Sequence, residues 1–240
     1  MSTVTAASSS IVADGKSTTQ ITVALKDETG ASLGKSGGIV SVSTSRGTVG
    51  PVSDANNGTY TATLTSATAA GAAVINASIA GSTLSSSATV NFAAGPAAAI
   101  TVANSASNGQ TAVVGTTVAN PPSVKIADAN GNPVAGATVV FAVAGGGGSV
   151  TGGSQTTNSE GVATVGSWRL GNVAGPNTVT ATVAVPAAAL SGASAAADLV
   201  ITFTATATPG SAGSISINGG DAQTAVAGSA VAIAPSVKVT

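Results

Sequence analysis

Apolar side chains alternate with polar or small ones along many short segments of this 240-residue chain. Ile21, Val23 and Leu25 have such neighbours, and the same period of two recurs at Tyr60–Leu64 and Ile75–Ile79. A period of two places successive side chains on opposite faces of a β-strand. The pattern therefore predicts half-buried strands, separated by turn signals such as Asp27–Gly30.

The second half of the chain repeats this scheme. Further strands are predicted at Ile100–Val102, Val124–Ile126, Val139–Val143, Ala163–Val165, Val179–Val183 and Ile201–Ala205. About seven short strands per hundred residues, with turns about every ten, are typical of a Greek-key β-sandwich. The Ala-rich run Pro186–Ala197 is interrupted by Ser and Gly, and we interpret it as an insertion loop with at most one helical turn.

An internal repeat indicates how the strands are organised. Residues 110–119 match residues 223–232, which lie 113 positions later, and the match continues from Pro122–Ile126 to Pro235–Val239. A looser match, offset by 101, aligns residues 27–30 with residues 128–131. The order of elements is thus shared by three units.

Two Pro/Gly pairs separate these units. They follow predicted last strands, in Ala93-Ala-Gly-Pro96 and in Ala207-Thr-Pro-Gly210. We therefore predict one sandwich domain at 1–94, a second at 97–208, and the first strands of an incomplete third repeat at 211–240. Because proline fixes φ and each linker has only about two to four residues, the units are expected to form an extended, semi-rigid rod.

The composition removes most catalytic chemistry. Only 6% of residues are charged and the chain has neither His nor Cys, which excludes His acid–base catalysis, thiol nucleophiles, Cys/His zinc sites and disulfides. A formal net charge of −1 gives no electrostatic footprint for nucleic acid. The most apolar window, Val183–Val200, is broken by Pro186, Gly192 and Asp198 and does not predict membrane insertion. We expect no enzyme activity and no cofactor.

The aspartates are candidate calcium ligands, because extracellular modules bind this cation through carboxylates and carbonyls. No Asp-x-Asp-x-Asp series occurs, and an Asp that opens an Asp-x-x-Gly segment caps its own turn. We therefore predict turn roles and no metal site for Asp14, Asp27, Asp54, Asp128 and Asp221.

Two other features invite a functional interpretation. Gly145–Gly148 lacks the Lys-Ser/Thr of a phosphate loop and is interpreted as a hairpin turn. Trp168 is the largest side chain of the second unit, so core packing is favoured over an exposed carbohydrate platform, and nothing near Arg169 makes it catalytic. No catalytic, cofactor or metal residue is predicted, and ligand-binding residues are left open.

The first unit resembles a known repeat. Ser10–Ser17, the Asp27–Gly30 turn, Gly47–Val49 and Gly58–Tyr60 resemble the bacterial Ig-like repeat of invasin and intimin type, over nearly all of residues 2–93. The second unit, through Asp128–Phe141 and Gly161–Gly171, looks like a related Ig-like repeat of bacterial surface proteins.

The resemblance implies an all-β chain of tandem Ig-like sandwiches that acts as a structural spacer outside the cell or on its surface. One alternative is an adhesive module that binds a host or cell-surface glycan or protein. Another is a subunit of a filament or phage appendage, with residues 211–240 paired to a neighbouring copy. The expected partners are neighbouring repeats or other copies. A sufficiently large contiguous exposed apolar patch, or an aromatic side chain exposed on a loop, would favour adhesion. Burial of all five aromatics would count against it.

Overall fold

The structure is a computed structural model that describes residues 1–185 and 198–240. The insertion loop predicted for residues 186–197 lies outside the described residues. No helix in the described ranges is long and apolar enough to cross a membrane.

The first sandwich consists of two mostly antiparallel sheets. Its strands are β1 (Thr3–Ala6), β2 (Ser10–Val12), β3 (Thr18–Ala24), β4 (Val40–Thr44), β5 (Thr48–Val49), β6 (Ser53–Asp54), β7 (Thr59–Thr65), β8 (Gly71–Ile79) and β9 (Ser82–Ala93). One sheet has the order β1-β3-β7-β5, with β6 also paired to β7, and the other has the order β2-β9-β8-β4. Strand β2 runs parallel to the end of β9, whereas the other pairs are antiparallel.

The predicted alternation places one face of each of these strands in the core. Ile21 and Val23 of β3, Leu64 of β7, and Ile75 of β8 are at most 1% exposed. They pack with Phe92 and other apolar residues into one cluster between the sheets. The all-β Ig-like fold predicted from the sequence is confirmed.

The second sandwich repeats this arrangement. Its elements are β10 (Ala99–Val102), a 3₁₀ turn (Ser105–Ser107), β11 (Gln110–Val113), β12 (Ser123–Ala127), β13 (Thr138–Gly145), β14 (Ser149–Thr151), β15 (Ser154–Thr156), β16 (Val162–Thr164), β17 (Ser167–Arg169), β18 (Gly175–Val183) and β19 (Leu199–Thr208). The larger sheet has the order β11-β19-β18-β13-β15, β10-β12-β16 form a second sheet, and β14 pairs with β17.

Aromatic side chains fill both cores. Trp168 and Phe203 are completely buried in the second sandwich, where Phe141 is 2% exposed. Tyr60 and Phe92 are 2% and 1% exposed in the first sandwich. These five residues are all the aromatics of the chain. The core role predicted for Trp168 is confirmed, although its indole Nε1 has no hydrogen-bond partner in the described part of the chain.

The sandwiches contain more strand segments than the seven or so that the pattern predicts. The described residues form nine segments in the first sandwich and ten in the second, several of only two or three residues. Pro51 lies between β5 and β6, where its missing N–H cannot contribute to the ladder with β7. The sequence pattern did not distinguish these short edge strands, because two or three residues are too few to show a period of two.

A glutamine side chain closes the long loop that follows the 3₁₀ turn. The Gln110 side-chain amide donates to the Ser107 carbonyl at 3.1 Å and to the Asn120 carbonyl at 2.7 Å. Its Oε1 accepts the Asn120 backbone N–H at 2.8 Å. Because all three bonds reach main-chain atoms, this side chain fixes the path of the loop between β10 and β12.

The C-terminal segment reproduces the same network. Gln223 donates to the carbonyls of Gly220 and Ile233 at 2.8 and 2.6 Å, and its Oε1 accepts the Ile233 N–H at 2.7 Å. Each of these three residues lies 113 positions after its counterpart in the second sandwich. The internal repeat is therefore a repeat of three-dimensional structure.

Two strands complete this segment, β20 (Ile215–Gly219) and β21 (Ser236–Val239), which pair with each other. The pairs Ile215 with Val239 and Ile217 with Val237 are the counterparts of two pairs between β10 and β12. Within the described residues the hairpin joins no other sheet, and the four paired side chains are 57–69% exposed. An isolated strand pair is marginal in water.

The two cores give a direct test of how far the sandwiches are independent. We expect Phe203→Ala to destabilise the second sandwich by about 3–5 kcal/mol, because it leaves a cavity in a closed core. Urea unfolding followed by Trp168 fluorescence, with the ring-proton NMR signals of Tyr60 as reporter of the first sandwich, measures both transitions. Phe92→Ala is the matched variant and should shift mainly the Tyr60 transition. Equal shifts of both reporters in both variants would contradict two separate cores.

Candidate functional site at the junction between the sandwiches

The aspartates singled out in the sequence bind the backbone of their own turns. Each accepts a main-chain N–H from a residue one to four positions later. The donors are Lys16 and Ser17 for Asp14, Thr29 and Ala31 for Asp27, Asn56 for Asp54, Asn130 and Asn132 for Asp128, and Ala222 for Asp221. Within the described residues no group of three or more Asp, Glu, His or Cys side chains is placed to hold a metal ion.

The glycine run and the basic residue also have local roles. Gly145 ends β13, and the next three glycines have φ of 78°, 74° and 86° before β14 begins. This is the left-handed region that favours glycine, so the run is a turn. The predicted hairpin is wrong, because β13 pairs with β15 and β18 whereas β14 pairs with β17. Arg169 is exposed beside the buried Trp168.

One of the aspartate turns differs from the others because it faces the first sandwich. Asp128 Oδ1 accepts the N–H groups of Asn130 and Asn132, both at 2.9 Å. Asp27 holds the corresponding turn of the first sandwich in the same way. Both residues are tied to the same turn geometry, but only Asp128 is buried, at 4% exposure.

Asn132 connects this turn to the first sandwich. Its side-chain Nδ2 donates to the Thr68 carbonyl at 2.8 Å, and its Oδ1 accepts the Ala70 N–H at 2.8 Å. Nδ2 also donates to Asp128 Oδ2 at 2.9 Å. An amide that is 8% exposed thus has both of its polar atoms satisfied, which makes the contact directional.

Two further bonds link the turn to the first sandwich and to the linker. Asp128 Oδ2 accepts the Gly95 N–H of the linker at 2.8 Å. The Asn130 side chain donates to the Ala13 carbonyl at 3.1 Å, directly after strand β2. We call Asp128, Asn130 and Asn132, with these four backbone partners, the junction clamp.

The electrostatics of the clamp favour an ionised carboxylate. Burial raises the pKa of Asp128, but hydrogen bonds from the Asn132 side chain, from the Gly95 N–H and from its own turn outweigh that effect and lower the pKa below its ordinary value. Backbone N–H groups of Ser17 and Lys16 likewise lower the pKa of Asp14, which lies beside the junction. Both carboxylates are therefore occupied by donors of this chain.

An open groove runs along the junction. It has a volume of about 480 Å³, and Asp14, Lys16 and Asp128 lie in its wall. Because both carboxylates already accept several hydrogen bonds, they offer little capacity to an external ligand. The arrangement is suited to fixing two domains relative to each other, and no chemical step follows from it.

The clamp asparagines were missed in the sequence, although a signal was present. The two related turns read Asp27-Glu-Thr-Gly-Ala31 and Asp128-Ala-Asn-Gly-Asn132. The aspartate and glycine that make the turn are shared, so the two asparagines are the residues that the turn itself does not require.

Comparisons with known proteins agree with this architecture. Residues 1–95 match the family model described as invasin, domain 3. The structure of InvD of Yersinia pseudotuberculosis has a TM-score of 0.64 at 23% identity, covering 90% of this chain and 62% of that one. Invasin, described as a bacterial integrin-binding protein, has a TM-score of 0.64 at 27% identity, covering 91% of this chain and 42% of that one. The chain thus spans less than two thirds of either structure, and the predicted resemblance to bacterial Ig-like repeats of invasin type is confirmed.

The clamp predicts a specific effect of Asn132→Ala. The substitution removes three side-chain hydrogen bonds and gives the turn the residue found at Ala31, so we expect weaker coupling between the sandwiches by about 1–3 kcal/mol with both folds intact. ¹⁵N relaxation should show a shorter rotational correlation time for each sandwich. Asn76→Ala, on the exposed face of β8, is the control and should leave the correlation time unchanged. An unaltered correlation time in Asn132→Ala would contradict the clamp.

The lowered pKa values predict an acid limit to stability. Because the pKa of Asp128 and Asp14 is lower in the folded than in the unfolded state, their contribution is complete above the unfolded value of about 4 and is lost as the pH falls through the folded value. The urea midpoint should be flat from about pH 5 to 8 and fall below about pH 4. Asp128→Asn should reduce this fall for the second sandwich, as measured by Trp168 fluorescence. A midpoint that rises on acidification would contradict the sign.

Proposed function

We propose that this chain of invasin-type Ig-like sandwiches is a non-catalytic spacer segment of a large bacterial extracellular or cell-surface protein. The observation that carries the proposal is the junction clamp, because it restricts the angle between two sandwiches through directional hydrogen bonds. A linker alone, with one proline at Pro96, fixes only one dihedral. Linker and clamp together hold an extended, semi-rigid rod.

The division into units is part of this proposal. Domains at 1–94 and 97–208 are supported by the two separate clusters of buried side chains. Residues 211–240 as the first strands of a third repeat are supported by the Gln223 network and by the register of β20 and β21.

Adhesion to a host or cell-surface protein or glycan is the second candidate function. The family match and the invasin likeness favour it, since invasin is an integrin-binding protein. All five aromatic side chains are buried, which leaves none exposed to stack against a glycan in this segment. The spacer role therefore ranks first for these residues.

A filament subunit that donates residues 211–240 to a neighbouring copy ranks third. Both strands of this segment already pair with each other. A donated strand would instead pair with a sheet edge of another molecule.

The spacer role is tested by measuring the distance between the far ends of the two sandwiches. The chain has no cysteine, so Ser85→Cys and Thr206→Cys, both at exposed positions, give two unique spin-label sites. We expect double electron–electron resonance to give a single narrow distribution of distances between the two spin labels. It should not change between low and about 1 M salt, because screening weakens separated charges far more than direct hydrogen bonds.

The matched variant carries Asn132→Ala in the same labelled chain and should broaden the distribution, whereas Asn76→Ala should not. A broad distribution in the parent chain would overturn the spacer proposal. Tight binding of a soluble host receptor ectodomain by the parent chain, lost on substitution of an exposed loop residue, would favour the adhesive function instead.

A further inference from the structure

The far end of the second sandwich carries an open cleft of about 370 Å³. Val114, Asn172, Ala174 and Gly210 line it from the second sandwich and the following linker, and Val239 and Thr240 from the C-terminal hairpin. Its position in the second sandwich corresponds, residue for residue, to the surface of the first sandwich that holds the junction clamp.

The loop between β17 and β18 shows the first correspondence. Gly71 opens β8 opposite Phe92, and Gly175 opens β18 opposite Ala207. Their φ values are 142° and 137°. The residue before each glycine is therefore equivalent, which places Ala174 where Ala70 stands and Asn172 where Thr68 stands.

The edge strand and the linker complete the set. The Ala13 N–H donates to the Ala93 carbonyl at 2.8 Å, and the Val114 N–H donates to the Thr208 carbonyl at 2.9 Å, so Val114 corresponds to Ala13. The Gly210 linker position lies two residues after Thr208, as Gly95 lies two residues after Ala93.

The clamp binds all four backbone groups of the first sandwich and its linker. Their four counterparts in the second sandwich and its linker are free within the described residues. The carbonyls of Val114 and Asn172 and the N–H groups of Ala174 and Gly210 make no hydrogen bond to any described residue. Ala174 and Gly210 are exposed, whereas their clamped counterparts are partly buried. Val173, at the tip of this loop, is 77% exposed.

We propose that this cleft is a second cradle, which binds an Asp-x-Asn-x-Asn turn of the kind at residues 128–132. The turn belongs to an Ig-like unit whose first strands are β20 and β21. The two amides and the carboxylate would reach the four free backbone groups as they do at the first junction. The inference rests on the proposed spacer role and names the partner of its second junction.

The position of the hairpin supports this occupant. Ala98 donates to the carbonyl of Ala127, the residue before Asp128, and Gly213 donates to the carbonyl of Thr240 at 2.7 Å. Thr240 thus stands where Ala127 stands, at the edge of the cleft. A turn that follows β21 in the manner of Asp128 after β12 enters the cradle directly.

The test uses the full chain with a second copy of residues 128–208 joined after Thr240, which completes a third unit from segments of this protein. We expect amide exchange of Ala174 and Gly210 to slow by about tenfold or more relative to the parent chain, because each N–H gains a hydrogen bond that must open before exchange. The Val237 N–H in β21 should be protected as well. The Ala70 N–H at the first junction serves as an internal reference.

Two control fusions carry single substitutions in the added copy alone. Asn132→Ala there should release the Ala174 N–H, and Asp128→Ala there should release the Gly210 N–H, with exchange of β21 still slow. Fast exchange of Ala174 and Gly210 in the unsubstituted fusion, with or without a folded third unit, would overturn the second cradle. Fast exchange of Ala70 in the parent chain would instead count against the spacer role, so the two failures are distinguishable.

Discussion

The relative placement of the two sandwiches depends on the Asp128 carboxylate. Each of its oxygens accepts two hydrogen bonds, so the four strong acceptor sites of an ionised carboxylate are filled. Oδ1 closes the turn, while Oδ2 holds the Gly95 linker and orients the Asn132 amide. Because that amide reaches the backbone of the first sandwich, the turn, linker and neighbouring domain form one hydrogen-bonded unit.

Uncharged amide side chains also hold main-chain groups in place elsewhere in this charge-poor chain. Gln110 and Gln223 close equivalent loops, and the fully buried Asn177 accepts the Gly171 N–H at 3.0 Å. In each case an amide side chain satisfies main-chain groups that no strand partner reaches. A low content of charged residues is therefore compatible with well-defined loops, because the loops are held by short-range contacts.

The fold was largely predictable because its signal is local. Alternation at Ile21 and Val23 indicates a strand whatever the rest of the chain does, and burial of Phe203 follows from the same rule. The Asp128 turn was predictable too, since its hydrogen bonds span at most four residues. The partners of Asn132 lie 62 and 64 positions away and are backbone atoms, so no side-chain pattern marks them.

The two sides of the junction contribute different kinds of groups, which explains why the clamp is hard to recognise in the sequence. The first sandwich contributes only main-chain N–H and carbonyl groups, which side-chain changes at Thr68 or Ala70 leave in place. The backbone on that side passes through a glycine with positive φ at Gly71, directly after Ala70. Specificity therefore resides in the turn of the second sandwich, where Asn132 rather than an alanine such as Ala31 makes the contact. At this junction the turn of the second sandwich therefore determines how that sandwich is held on the first.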